Sequence, residues 1–423
     1  MDKKKRFVLV FALLFFFLFV IGGYLILFSS TQYTVLYFLV VGALIVIFGM
    51  FLFVQLLTNL DTINWRIKNI ELGKVGNVPL EVLTGNKVKV QKEVYKIPRF
   101  PKKLSGSFWG ITTFYNPADY KNKYVNYKLF REKSKEQGLK LIAVELAFED
   151  KPFELKKTDA EIVVQIRGNE SNILWQKEAL LNIGLKHLPK GCDKVAWLDC
   201  DIIFKNNNWI KETSKLLEEY IVVQPFAWAL KLGEGVHEVK NLDKIALGQG
   251  IMQKSYGIGY GVSKFGKTIR DGESLIAHGH TGFSWAFRKE LLDKCGFYDK
   301  AILGGGDLAM AFAYYDFNGI NLDEVFPNKS FRNNYDPWRK KICKKNHKSV
   351  YFTPGYIFHL WHGDVKDRQY FKRSQILKEN DYDPVLDVKK DSLGLLFWAS
   401  NKPELHSAVK RYFLARKEEG SFL

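Results

Sequence analysis

Several features that would assign a familiar class are missing from this 423-residue sequence. Its four cysteines form no CxxC pair and no zinc-like spacing, which argues against a zinc module and a disulfide framework. Scattered thiols in a chain of this length are typical of a reducing compartment. The sequence also has no GxxxxGKS/T phosphate loop and no internal repeat. It therefore fits neither the P-loop nucleotide-binding proteins nor the repeat proteins.

Acidic residues are also scarce relative to basic ones. The chain has 63 Lys and Arg against 45 Asp and Glu, a formal net charge of +18, so it favours an anionic partner. Nucleic acid, anionic lipid headgroups and nucleotide phosphates all qualify. The basic residues are spread along the chain rather than interleaved with aromatic residues on one element, and no DNA or RNA motif is present. We therefore expect no nucleic-acid partner.

Two hydrophobic runs near the N-terminus contain no charged residue, residues 7–28 and 33–57. The first would span ~33 Å as a helix, enough to cross a bilayer. A signal peptide and a pair of buried helices are the alternatives, but no small-residue cleavage site stands out and neither run has a polar face. Basic residues flank both outer ends. The sequence thus predicts a multi-pass membrane protein with two spans and a catalytic domain that faces the cytoplasm.

The sequence divides into four predicted segments. Residues 1–58 form a transmembrane hairpin, 59–104 a linker, 105–380 an α/β domain and 381–423 a C-terminal helical extension. From residue 105 onward, strand-like and helix-like segments alternate, which predicts a mostly parallel sheet flanked by helices. Such sheets bind ligands at the carboxyl ends of their strands, so candidate site residues are expected there.

Two carboxylates interrupt the apolar run "VAWLDCDIIF". Asp199 and Asp201 follow the end of a predicted strand, and in an extended segment residues i and i+2 point to the same side. Like charges so placed repel, and a divalent cation offsets both the repulsion and the cost of burial. Oxygen ligands of this kind suit Mn²⁺ or Mg²⁺. A helix cap and a separate ion pair are the alternative interpretation.

Other polar residues follow neighbouring strands. Arg167 and Lys177 are candidates to hold a diphosphate or fix a nucleotide, and Thr112, Thr113 and Asn116 stand where nucleoside contacts are expected. Solvated surface charges and ordinary turn residues explain the same positions.

Two further segments carry chemistry. His359 and His362, in "FHLWHGD", are candidate metal ligands beside the carboxylates, although lone histidines are more often core hydrogen-bonders. Asp307 follows three glycines that permit close substrate approach, and its carboxylate is a candidate general base. Capping the next helix is the alternative role for Asp307.

The order of the motifs "ITTFYNP", "WQKEALLN", "VAWLDCDIIF", "HTGFSWAFRKELLDKCGFYDKAILGGGD" and "FHLWHGD" resembles that of GT-A fold glycosyltransferases. It is similar to families 2 and 7, including the β-1,4-galactosyltransferases and polypeptide N-acetylgalactosaminyltransferases, over residues 105–377. The resemblance implies that Asp199 and Asp201 form the DxD motif, which binds a metal on a nucleotide-sugar diphosphate, and that a late histidine completes the metal shell. It also implies that Asp307 contacts the acceptor and serves as base. The sequence departs from the family here, since Gly306 stands where Glu is usual.

Together with these observations, the resemblance implies a membrane-anchored, metal-dependent glycosyltransferase of the hexosyltransferase type, with inversion through Asp307. The expected donor is a nucleotide-diphospho-sugar, taken as UDP-linked, and the acceptor is a glycan, lipid-linked or protein hydroxyl. The expected cofactor is Mn²⁺ or Mg²⁺. A catalytically inactive glycosyltransferase-like membrane scaffold and a basic membrane-tethered nucleic-acid-binding protein are the alternatives.

Overall fold

The computed structural model describes residues 96–240, 250–265, 279–316, 326–369 and 372–419. All of them belong to one unit of the chain, Gly85–Leu423. The end of the predicted linker is part of this unit: the amides of Phe100 and Lys102 donate to the carbonyls of Glu219 and Glu218, each at 2.8 Å. The domain boundaries drawn from the sequence otherwise remain predictions.

The predicted localisation requires correction. No helix within the described ranges is both long enough and apolar enough to cross a bilayer. A two-span membrane protein whose catalytic domain faces the cytoplasm is therefore not supported. Residues 7–28 and 33–57, on which that prediction depended, lie outside the described residues.

The central sheet is mainly parallel. In the described residues the strands are β1 (Ser107–Tyr115), β2 (Lys140–Phe148), β3 (Ile162–Gly168), β4 (Cys192–Leu198), β5 (Ile202–Phe204), β6 (Val222–Gln224), β7 (Trp228–Leu232), β8 (Ile251–Tyr256), β9 (Ser284–Arg288), β10 (Val350–Phe352), β11 (Tyr356–His359), β12 (Val388–Lys390) and β13 (Leu396–Trp398). Seven of them form a sheet in the order β10-β6-β9-β4-β1-β2-β3. Only β9 runs antiparallel to its neighbours β4 and β6. The predicted α/β class with a mostly parallel sheet is confirmed, and it is consistent with a GT-A fold.

A smaller sheet, in the order β5-β11-β7-β8, places two predicted site segments side by side. Strand β11 pairs antiparallel with β5, and this register sets His359 opposite Ile202. Because Ile202 directly follows Asp201, the pairing brings a histidine and a carboxylate together that are far apart in sequence. Strands β12 and β13 form a separate antiparallel pair.

Helices alternate with the strands along the chain. Those of the described residues are α1 (Lys121–Glu136), α2 (Lys177–Lys186), α3 (Trp209–Glu219), α4 (Ile258–Phe265), α5 (Lys289–Cys295), α6 (Gly306–Tyr315), α7 (Lys329–Asn346), α8 (Lys372–Glu379) and α9 (Pro403–Leu414). Short 3-10 helices cover Glu170–Asn172 and Val365–Arg368. The predicted helical extension, residues 381–423, thus contains the β12–β13 pair as well as α9.

The central sheet is buried on both faces, which explains why β4 reads as a continuous apolar run. Val195 and Trp197 belong to one core cluster, whereas Ala196 and Leu198 belong to another on the opposite face. The polar residues Asp199 and Asp201 follow directly after Leu198, where the strand ends.

Helix α2 lies unusually close to the sheet. A Cβ added at Gly184 would lie 2.5 Å from Cγ2 of Ile111 in β1, so only glycine permits this approach. The close packing holds the first turn of α2, which carries Lys177, at the carboxyl edge of the sheet.

Candidate active site

Asp199, Cys200 and Asp201 form the connection between β4 and β5, and neighbouring segments hold its backbone on both sides. The amide of Asp199 donates to the carbonyl of Phe283, and the amide of Leu360 donates to the carbonyl of Asp201, each at 2.8 Å. Both carboxylates are mostly buried, with side-chain exposures of 27% for Asp199 and 19% for Asp201. Such groups need compensating partners, and the structure gives each a different one.

Asp201 forms a cluster with the two predicted histidines. Its Oδ2 lies 3.0 Å from Nε2 of His362, its Oδ1 lies 3.7 Å from Nε2 of His359, and the two Nε2 atoms are 3.0 Å apart. The three residues can each offer one ligand atom, all within 4.8 Å of one another. For a metal–ligand distance of about 2.1 Å, two ligands at a right angle lie about 3.0 Å apart. The spacing of the imidazole nitrogens therefore suits one shared cation.

Two observations test whether a metal suits this cluster. Oδ1 of Asp201 is buried and has no hydrogen-bond partner within the described part of the chain. Nε2 of His362 lies within 3.0 Å of Asp201, His359 and Nη2 of Arg368 at once. One ring nitrogen has either a hydrogen or a lone pair, so it cannot satisfy all three neighbours. A divalent cation bound by Asp201 and both imidazoles would take the orphaned oxygen and one lone pair from each ring, and this mixed donor set suits Mn²⁺ better than Mg²⁺.

The protonation states in this cluster also suit metal binding. Burial, above all, holds the pKa of His359 well below its usual value, so its ring is neutral at pH 7. Burial by itself would raise the pKa of Asp201, but neighbouring groups, His362 first among them, lower it below its usual range. A neutral imidazole and an ionised carboxylate are the forms that bind cations.

Asp199 is bound differently. Nζ of Lys177, from the first turn of α2, lies 2.5 Å from Oδ1 of Asp199 and 4.0 Å from the centre of the Trp197 ring. Burial by itself would lower the pKa of Lys177, but nearby carboxylates, Asp199 first among them, raise it above its usual value. Lys177 therefore stays charged and neutralises Asp199. The structure thus separates the predicted pair: Asp201 joins the histidines, and Asp199 pairs with an ammonium group.

Asp307 lies in the first turn of α6, after Gly304 and Gly305, whose φ angles are +85° and +88°. A Cβ added at Gly282 would lie 2.6 Å from Oδ2 of Asp307, so the carboxylate packs directly against the backbone of this glycine. Asp307 also acts electrostatically on Lys177. The predicted base is therefore near the same ion pair, at the carboxyl edge of the sheet.

The remaining predicted residues have different surroundings. Oγ1 of the buried Thr112 donates to the carbonyl of Leu198 at 2.8 Å, which joins the ends of β1 and β4. Thr113 pairs with Val144 in the β1–β2 register. Nη1 of Arg167 donates to the carbonyls of Glu149 and Lys151, the latter at 2.7 Å, and so stabilises a turn after β2. The structure does not place Arg167 in contact with either carboxylate of the DxD segment.

Asn116 lines a cavity of about 30 Å³ at the end of β1, which has room for water but not for a nucleoside. The other lining residues are Tyr115, Pro117, Ala118, Tyr120, Lys123, Trp175, Phe413, Arg416 and Glu418. This is the place where the sequence analysis expected a nucleoside. One wall comes from residues after α8, among them Arg416, which lies 5.1 Å from the centre of the Trp175 ring.

Sequence reasoning missed several of these contributors. Trp175 is the first residue of the quoted motif "WQKEALLN" and lies two residues before Lys177, so its position was a signal that was not used. Glu178 gave no such signal, although it is buried beside Lys177. Arg416 and Glu418 stand in a charged segment near the C-terminus, "LARKEEG", whose pattern indicates only a solvated helix end.

No protein-family model and no curated protein matches this chain. Among solved structures, it is 12% identical to glucosyl-3-phosphoglycerate synthase from Mycobacterium tuberculosis in complex with Mn²⁺, UDP and glucosyl-3-phosphoglycerate, with 64% of this chain and 77% of that one covered and a TM-score of 0.35. It is 13% identical to S. aureus TarS, covering 64% and 38%, with a TM-score of 0.30. It is 12% identical to 4-diphosphocytidyl-2C-methyl-D-erythritol synthase from Anaerococcus prevotii, covering 59% and 88%, with a TM-score of 0.28. At TM-scores below 0.5, these similarities decide neither fold family nor activity.

Proposed function

We propose that this protein is a metal-dependent glycosyltransferase of the GT-A type, which moves a hexosyl group from a nucleotide-diphospho-sugar to a hydroxyl acceptor. The convergence of Asp201, His359 and His362 at the carboxyl edge of a mainly parallel sheet is the observation that supports it most. The motif order supports a sugar as the transferred group, and UDP-linked hexoses are the donors to test first.

The cations around the cluster suit a diphosphate. A bound Mn²⁺ or Mg²⁺ would act as a Lewis acid for the departing nucleoside diphosphate. Arg368 extends its guanidinium to His362, and Lys177 holds the acidic segment from the other side. The guanidinium of Arg368 and the ammonium of Lys177 would orient the phosphate oxygens of the donor and offset their negative charge.

The acceptor side of the proposal depends on Asp307. Its Oδ2 would take the proton of the acceptor hydroxyl while the acceptor oxygen bonds to the anomeric carbon and the bond from that carbon to the diphosphate breaks. One direct displacement of this kind inverts the anomeric configuration. We expect the acceptor hydroxyl to belong to a glycan, a lipid-linked sugar or a protein.

The test uses the full chain with UDP and UDP-hexoses, with Mn²⁺ or with EDTA. We expect UDP to raise the melting temperature only when Mn²⁺ is present, and Mn²⁺-dependent release of UDP from one of the UDP-hexoses. Asp201→Asn should abolish both effects. Asp293→Asn, which removes an exposed carboxylate in α5 paired with Lys289, should preserve them.

Two results would contradict the proposal. If the chain shows no metal-dependent binding of any nucleotide sugar, it is not a metal-dependent glycosyltransferase. If Asp201→Asn keeps full activity, Asp201 is not a ligand of an essential metal. Metal-dependent UDP binding without transfer or hydrolysis of any donor would instead indicate a catalytically inactive relative.

A further inference from the structure

The turn that follows α9, residues 415–419, lies directly against the second histidine of the cluster. A Cβ added at Gly363 would lie 2.9 Å from the carbonyl oxygen of Lys417 and 3.0 Å from that of Arg416. Gly363 has a φ of +90° and follows His362 in the chain. The glycine therefore lets the C-terminal turn pack directly over the loop that carries the histidine.

The start of α1 fixes this turn in place. The hydroxyl of Tyr120 lies 3.0 Å from the carbonyl of Phe413 and accepts a hydrogen bond from the amide of Lys417 at 3.1 Å. Nδ2 of Asn122 donates to the carbonyl of Glu418 at 3.0 Å. Because both ends of the turn are held, the direction of the Glu418 side chain is set by the fold.

The carboxylate of Glu418 points inward, and the residue is only 1% exposed. Its Oε1 accepts a hydrogen bond from Nε of Arg416 at 2.6 Å and lies 3.5 Å from Nδ1 of His362. Burying a carboxylate is costly, and the Arg416 guanidinium offsets that cost. The ring of His362 thus lies between two carboxylates, with Nε2 facing Asp201 and Nδ1 facing Glu418.

The two nitrogens of an imidazole ring have different roles when one of them binds a metal. The metal-binding nitrogen needs a free lone pair, so the hydrogen must be on the other nitrogen. A carboxylate that accepts this hydrogen fixes the ring orientation and increases the basicity of the ligand.

We propose that Glu418 is a positioning residue for the metal site: it accepts the hydrogen of His362 Nδ1 and keeps the Nε2 lone pair directed at the cation shared with Asp201. The inference rests on the proposed function, because it requires that Asp201 and His362 bind a divalent cation. It makes the last residues of the described chain part of the metal site.

The test titrates Mn²⁺ into the full chain without any donor and measures free Mn²⁺ by electron paramagnetic resonance. Glu418→Met keeps the side-chain length and removes the acceptor, so we expect about 10- to 100-fold weaker Mn²⁺ binding. Glu418→Gln, whose amide oxygen still accepts a hydrogen bond, should show a smaller loss. Glu419→Met is the matched control, because that carboxylate accepts from the amide of Lys121 instead, and it should bind Mn²⁺ like the wild type.

The outcomes separate the two hypotheses. If Glu418→Met binds Mn²⁺ within twofold of the wild type, the positioning role is wrong and the metal site stands. If the wild type itself binds no Mn²⁺, the metal site fails and this inference fails with it. If Glu418→Met does not fold, NMR of the wild type with Zn²⁺ decides: an Nδ1 hydrogen of His362 that exchanges slowly with water and is shifted downfield, as a carboxylate acceptor requires, supports the role, and an Nδ1 hydrogen without that shift refutes it.

Discussion

Glu178 makes a quantitative prediction about stability and pH. Its carboxylate lies under the start of α6, where a Cβ added at Gly306 would overlap Oε1. Glu178 is 1% exposed, and within the described residues its Oε2 has no hydrogen-bond partner. Burial, together with the charge of Asp307 and against the attraction of Lys177, raises the pKa of Glu178 from 4.5 to about 8. The folded protein therefore disfavours the ionised form that the unfolded chain adopts at neutral pH.

The sign and size of the effect follow from this pKa difference. Because the folded pKa lies above the unfolded one, the favourable contribution is present below about pH 4.5 and is lost as the pH rises towards 8. The difference of 8 − 4.5 = 3.5 units corresponds to roughly 5 kcal/mol above pH 8, and to roughly 3 kcal/mol at pH 7. Glu178→Gln keeps the side-chain volume and has no charge, so the variant should not lose this free energy of unfolding as the pH rises.

The assay is urea unfolding of the full chain at pH 5 and pH 8. The free energy of unfolding of Glu178→Gln, minus that of the wild type, should be larger at pH 8 by roughly 3 kcal/mol. Taking the difference between the two pH values cancels any constant effect of the new amide group. Glu132→Gln, an exposed position in α1, is the control and should follow the wild type at both pH values. Equal pH dependence in the wild type and Glu178→Gln would refute the reasoning.

Three further predictions concern the same region. Lys177→Met leaves Asp199 buried and unpaired, so it should cost about 3–5 kcal/mol of unfolding free energy, and adding Asp199→Asn should recover part of it in a double-mutant cycle. Gly306→Ala introduces a Cβ that overlaps Glu178, so urea unfolding should show a loss of about 1–3 kcal/mol, and no loss would mean that α6 shifts freely. Asp307→Asn should lower kcat for sugar transfer about 10²- to 10⁴-fold while Mn²⁺-dependent UDP binding by calorimetry stays unchanged; unchanged kcat would exclude Asp307 as the base.

The local elements were predictable because their signals are local. The segment "SFWGITTFY", rich in aromatic and β-branched residues, forms strand β1, and the segment that Gly138 ends forms helix α1. Gly138, which closes that helix, has a φ of +78°, a conformation that glycine adopts without strain. Periodicity and terminators of this kind need no knowledge of the rest of the chain.

The sequence predicted the position of the candidate site in the fold, but only some of the contacts between its residues. A polar interruption after a buried strand indicates the carboxyl edge of a sheet, and Asp199 and Asp201 lie there. The sequence did not predict that the two carboxylates have different partners. Lys177 pairs with Asp199 because α2 packs closely on β1. His359 lies near Asp201 because β11 pairs with β5. Each of these pairings depends on packing between segments that the sequence pattern treats separately.

The C-terminal turn shows most clearly which contacts the sequence pattern could not predict. Glu418 stands 418 − 201 = 217 residues after Asp201, yet its carboxylate faces the histidine that contacts that aspartate. By itself, the sequence determined the alternating strands and helices, the mainly parallel sheet and the edge at which acidic and histidine side chains gather, because hydrophobic period and strand ends are short-range properties. Only the tertiary structure decided which acid faces an ammonium, which faces two imidazoles and which distant carboxylate supports them, because charge pairing depends on distances of a few ångströms that folding alone sets.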